Sequence, residues 1–85
     1  MKISFDPAKD RSNFEKHGLW LSDFESFDGE PHVSIDNRID YGEIRYQARG
    51  RIDGKGHCLV FTVMADGIHL ISFRRAREKE MRRYG

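Results

Sequence analysis

Residues Cys58 to Met64 are almost continuously apolar, and turn sequences bound them on both sides: Asp53-Gly54-Lys55-Gly56 before and Ala65-Asp66-Gly67 after. A run this short, rich in β-branched and aromatic side chains, is a strand covered on both faces. Turns at each end fold the chain back on itself as hairpins. The partners are Glu43 to Ile52 upstream and Ile68 to Phe73 downstream. A further strand is expected at His32 to Ile35, joined by the polar loop Asp36 to Gly42. The second half of the chain thus reads as a meander of antiparallel strands.

The first half reads differently. Lys2 to Phe5 alternates polar and apolar, with Ile3 and Phe5 on one face, as a short strand does. Asp6 is a suitable N-cap and Pro7 a suitable first helical residue, so a helix is predicted from Pro7 to His17, stopped by Gly18. Leu19, Trp20 and Leu21 form an apolar connection, with Trp20 assigned to the core. Ser22 followed by Glu25 is a capping box, which predicts a second, short helix from Asp23 to about Asp28, its Phe24 and Phe27 facing the core. Gly29 and Pro31 end it. At the far end, Ile71 to Phe73 runs into Arg74-Arg75-Ala76-Arg77 and a last helix. The expected architecture is one α+β domain over residues 1–85: an antiparallel meander with two N-terminal helices packed on it and a C-terminal helix.

Charge is unevenly spread. Residues 1–40 carry five basic against nine acidic residues, a net of −4, and residues 41–85 carry ten against five, a net of +5. Such a chain can offer a localised anion site on one half while the other limits indiscriminate binding to polyanions. No apolar run approaches the length of a membrane span, and Met1 to Asp10 carries charges where a signal peptide would be apolar. A cytoplasmic protein is therefore expected. The one cysteine, Cys58, lies within the apolar strand and reads as a small buried hydrophobe. His32, His57 and His69 lack Cys, Asp or Glu at metal-ligand spacing, so neither a metal nor another cofactor is expected.

Two features point to phosphate chemistry. Six of the ten residues from 74 to 83 are basic, and guanidinium groups grip phosphate oxygens bidentately while staying charged. On the strand Glu43 to Arg51, strict alternation puts Glu43, Arg45, Gln47, Arg49 and Arg51 on one face, a ladder able to follow an RNA backbone or simply to face solvent. Lys16-His17-Gly18 is the third candidate. A helix C-terminus favours a cationic imidazole, so His17 can serve as a general acid or base, or merely end the helix. Tyr84, Tyr46, Tyr41 and Trp20 are the aromatics available to stack on a base, with Tyr46 assigned to the core.

The series Asp6-Pro7, Asn13, Lys16-His17-Gly18, Ser22 to Phe27, Gly42-Glu43, Arg45-Tyr46, Gly50, Ile71-Ser72, Arg74-Arg75-Ala76 and Glu80 resembles the BrnT family of bacterial toxins, the ribonuclease half of type II toxin-antitoxin systems. The resemblance implies a RelE-like fold and an endoribonuclease, ribosome-independent or ribosome-assisted, that cleaves RNA, inhibits growth and is neutralised by a BrnA-like antitoxin with a ribbon-helix-helix region. It assigns charge stabilisation to Arg74 with help from Arg45 or Arg49, and proton transfer or electrostatic support to His17 and Lys16. Arg49, Arg75, Gln47 and Arg77 would then hold RNA. The competing readings are a small RNA-binding module without catalysis and a protein-binding module using the same basic surface.

Overall fold

The computed structural model describes residues 1–38, 40 and 42–84. Its strands are β1 (Lys2–Phe5), β2 (His32–Asp36), β3 (Arg45–Ile52), β4 (Lys55–Met64) and β5 (Gly67–Arg75), with helices α1 (Pro7–His17) and α2 (Glu78–Tyr84). The strands form one sheet in the order β1-β5-β4-β3-β2. The apolar run takes the middle position, as its composition requires. Asp53 and Gly54 both adopt positive φ, 52° and 76°, and this mirror-image turn matches the twist of the β3–β4 hairpin.

The sheet is mixed, not an antiparallel meander throughout. β2, β3, β4 and β5 are antiparallel neighbours, but β1 lies parallel to β5, with Lys2 opposite Gly67 and Phe5 opposite Leu70. Ile3 and Phe5 must be covered, and beside β5 they pack against the main core. Alternation in β1 shows which residues turn inward but carries no information about strand direction.

The expected second N-terminal helix does not form. Ser22 is engaged by α1 instead: its N–H and its hydroxyl both donate to the Asp10 carboxylate, at 3.1 and 3.2 Å. Only a 3-10 turn over Leu21–Asp23 results, and Phe24 is already extended at φ −75°, ψ 126°. A helix of about six residues closes too few internal hydrogen bonds to offset its nucleation cost. Extended, the segment packs Phe24 edge-on against Phe73 at 5.5 Å and sets Phe27 over Gly50, where a Cβ would come within 2.6 Å of the ring. Asp28 then ties the segment to the β3–β4 hairpin, its N–H donating to the Arg51 carbonyl at 2.9 Å and its carboxylate accepting from the Asp53 N–H at 2.6 Å.

Leu21, Phe24, Ala48, Leu59, Leu70 and Phe73 make the main core on one face of the sheet. Trp20, expected among them, is 37% exposed and stacks on Phe14 with ring centroids 4.4 Å apart. Leu19 and Leu21 take the inward positions of that connection, which turns the residue between them out. Tyr46 is half-buried and stacks on Phe61 at 5.6 Å. The Leu70–Phe73 pair breaks strict alternation, since residues three apart on a regular strand face opposite ways. The break is a bulge: Val60 lies opposite Ser72 and Phe61 opposite Leu70, leaving Ile71 without a counterpart. Its effect is to turn Ser72 and Arg74 to the face away from the core.

Candidate active site

On that second face the register aligns side chains in rows across the strands. His32, Arg49, Cys58 and Arg74 form one row, Ser34, Gln47, Val60 and Ser72 the next, and Asp36 with Arg45 begins a third. The face is not the solvated ladder that alternation in β3 suggests. Gln47 and Arg49 are buried, as is Cys58, whose thiol pKa is pushed up by burial.

Helix α2 covers one end of these rows. Met81 inserts beside Cys58 and Ala76 in a second small core. Gly56 makes the room, because a Cβ there would stand 2.4 Å from the Met81 Cγ. Once α2 is seated, Glu80 accepts from both terminal nitrogens of Arg74, at 2.9 Å each, and from Arg49 Nε at 2.5 Å. The Arg74 and Arg49 guanidinium groups hold the Glu80 carboxyl at about 2, well below its ordinary 4.5, and Arg74 is raised in turn. A depressed acid stabilises the fold fully above its unfolded pKa and loses that contribution as pH falls through the folded value. The wild-type chain is therefore expected to lose stability between about pH 4.5 and 2, and Glu80→Gln to show a shallower loss over that window. Parallel melting curves of the two proteins check this; identical pH dependence would show that the ion pairs contribute nothing.

Helix α1 brings the remaining component. Its inner face carries one buried polar residue, Asn13, whose amide nitrogen donates to the carbonyls of Phe73 at 2.7 Å and Leu19 at 2.8 Å, while its oxygen accepts from the Phe73 N–H at 3.0 Å. This side chain continues the edge pairing of β5 just beyond the last residue matched to β1. Four residues on, His17 ends the helix where Gly18 turns left-handed at φ 74°. His17 thereby reaches round the sheet edge to the second face. The helix terminus would favour its cation, yet burial, then the charges of Arg74 and Lys16, lower its pKa below the ordinary histidine value. These influences, burial first, act against the cationic form of the imidazole.

His17, Gln47, Ser72, Arg74 and Arg45 line a cleft of about 250 Å³ together with Asp36 and Arg38. Asp36 accepts from Arg38 Nε and Nη2 at 2.8 and 2.9 Å, and those bonds lower its pKa to about 2 although burial opposes the shift. Arg45 donates to Glu43 at 3.1 Å. The cleft thus brings together four residues singled out from the sequence, His17, Arg45, Gln47 and Arg74. Lys16 lines an adjoining groove. Arg49 lies behind Arg74 on Glu80. Arg75, at the end of β5, alternates to the core side, where its Nε donates to the Gly56 carbonyl at 3.1 Å, and Arg77 lies in the connection to α2, lining a hollow with Arg75, Lys79 and Arg83. Tyr41 and the Tyr84 side chain lie outside the described residues.

Sequence reasoning missed the roles of Glu80, Asp36 and Arg38. Glu80 carried a signal: with Glu78 it is one of only two acids in the basic tail, and an acid inside a cationic run is placed to organise it. Asp36 and Arg38 come from a polar loop without periodicity. Among the described residues, no three His, Cys, Asp or Glu side chains group as a metal site would, and none of the helices is long and apolar enough to cross a membrane.

Among curated proteins the chain has no match. A family model described as the ribonuclease toxin BrnT of type II toxin-antitoxin systems covers residues 5–80. That span takes in α1, all four antiparallel strands and the carboxylate between the two arginines, and the chain belongs to this family.

Proposed function

We propose that the chain is a metal-independent endoribonuclease that cleaves RNA by internal attack of a 2′-hydroxyl on the adjacent phosphate. The observation that carries this reading is the placement of an imidazole, His17, in one small cleft with a guanidinium, Arg74, whose orientation is fixed by Glu80. Cleavage of this kind needs a positioned backbone, a base and stabilisation of the extra charge on phosphorus, since the nucleophile comes with the substrate. His17 takes the proton from the 2′-hydroxyl. The new bond from 2′-oxygen to phosphorus forms as the bond to the 5′-oxygen breaks, and the departing oxygen takes a proton from solvent or from Lys16. The products are a 2′,3′-cyclic phosphate and a 5′-hydroxyl.

With its Nη1 and Nη2 held by Glu80, Arg74 offers Nε–H to a phosphate oxygen. Arg45 adds positive potential and Gln47 a hydrogen-bonding group along the cleft floor. Growth inhibition follows from loss of cellular RNA, and neutralisation by a ribbon-helix-helix antitoxin that covers the cationic surface of Arg75, Arg77, Lys79 and Arg83. Purified protein and short RNAs test the reading. Arg74→Ala should keep its fold and lose at least ~10-fold in rate, the worth of one charge-assisted contact of about 1.5 to 3 kcal/mol. RNA left intact by folded wild-type protein would overturn the reading, and cleavage abolished by a chelator and restored by a divalent cation would overturn its metal-independent part.

A further inference from the structure

Beside the cleft, α1 and the edge of β5 enclose a second groove of about 190 Å³, lined by Lys9, Ser12, Asn13, Lys16 and the same His17 and Ser72 that line the cleft. The two hollows therefore share His17, Ile71 and Ser72 as lining residues. Lys9, Ser12 and Lys16 stand at i, i+3 and i+7, one face of a helix, and Asn13 fixes that face toward β5 by its bonds to Phe73.

This face is cationic in a half of the chain that is acidic overall. The acids of the helix region are engaged elsewhere: Asp6 caps the helix through the Ala8 N–H, Asp10 holds Ser22, and Glu15 lies 3.6 Å from Arg11. Among the described residues no carboxylate lies within 4 Å of Lys9 or Lys16. Two ammonium groups and a hydroxyl along one groove make an anion site, and Ser12 lies about 6 Å along the helix axis from Lys16. That is a step on the scale of one nucleotide of extended backbone.

We infer that this groove is a subsite for the backbone phosphate next to the scissile one, held by Lys9 and Ser12 with Lys16 at the junction, so that the RNA strand crosses His17 and continues along α1. The inference rests on the ribonuclease reading and adds the path of the strand, which places substrate on the acidic N-terminal half as well as on the basic one.

The test compares, for each protein, kcat/KM on dinucleoside monophosphates of mixed base composition with kcat/KM on the same compounds carrying an added terminal phosphate, 3′ in one arm and 5′ in the other. Wild-type protein should gain at least about threefold from the phosphate at one end only, the scale of an exposed charge contact. Lys9→Gln and Ser12→Ala should each reduce that gain, Lys9→Glu should turn it into a penalty, and Lys9→Arg should keep it. No cleavage of any RNA by wild-type protein overturns the ribonuclease reading and this inference with it. Cleavage without a gain from either phosphate, or a gain of equal size in Lys9→Gln, overturns this inference alone.

Discussion

His17→Gln is expected to lower the cleavage rate by roughly 10²- to 10⁴-fold, the usual worth of a positioned general base, while RNA affinity is retained. The wild-type rate should rise with pH as the imidazole loses its proton. Because burial and the Arg74 and Lys16 charges lower the His17 pKa, the midpoint of that rise should lie below the ordinary histidine value of about 6.5. His17→Gln should show no such limb. A variant with the wild-type rate and a slightly lower melting temperature would show that His17 only terminates α1. Glutamine suits the comparison, since it fills similar space without titrating.

Asn13→Leu is expected to be the most destabilising polar-to-apolar change on α1, costing about 3 kcal/mol or more in denaturant unfolding, the low end for three groups. Leucine fills the volume but leaves the Phe73 N–H and two carbonyls without the partners they have now, and buried backbone groups stripped of partners cost about 1–3 kcal/mol each. Cleavage measured below the unfolding midpoint should fall as well, because the Phe73 backbone precedes Arg74 and is held in line by this amide. A loss under about 1 kcal/mol would mean that water replaces the asparagine.

Much of the framework was legible in the sequence, and the reasons it failed in places are physical. The hairpin strands, the first helix with its Asp6 and Gly18 ends, and the buried Cys58 follow from short-range chemistry that acts within a few residues. The predicted helix after Ser22 failed because a capping box describes what Ser22 can do alone, whereas Asp10, twelve residues earlier, binds it first. β1 was recognisable as a strand, but its direction is decided by a partner far along the chain. For the site, alternation correctly placed Arg45, Gln47 and Arg49 on one face, and it could not show that α2 would cover Arg49. Arg74 shares that face with them only because Ile71 is bulged, a feature invisible in a pattern of period two. Partial burial and the nearby Arg74 and Lys16 charges, likewise, shift His17 opposite to what its place at a helix C-terminus suggests.

The parallel pairing of β1 with β5 also bears on when the proposed site can assemble. Ser4 and His69 meet across that pair although they stand 65 positions apart, so β1 waits for the later-made β5 before Ile3 and Phe5 are covered. Contacts of such long sequence separation form late, because the intervening chain must first be brought to order. Synthesis proceeds at about 5–20 residues per second, and His17 is made before Arg74 and Glu80. A nascent or prematurely ended chain lacking them carries the imidazole without the guanidinium and its carboxylate brace. On the proposed mechanism, cleavage competence therefore waits on the same closure of the sheet that covers Ile3 and Phe5.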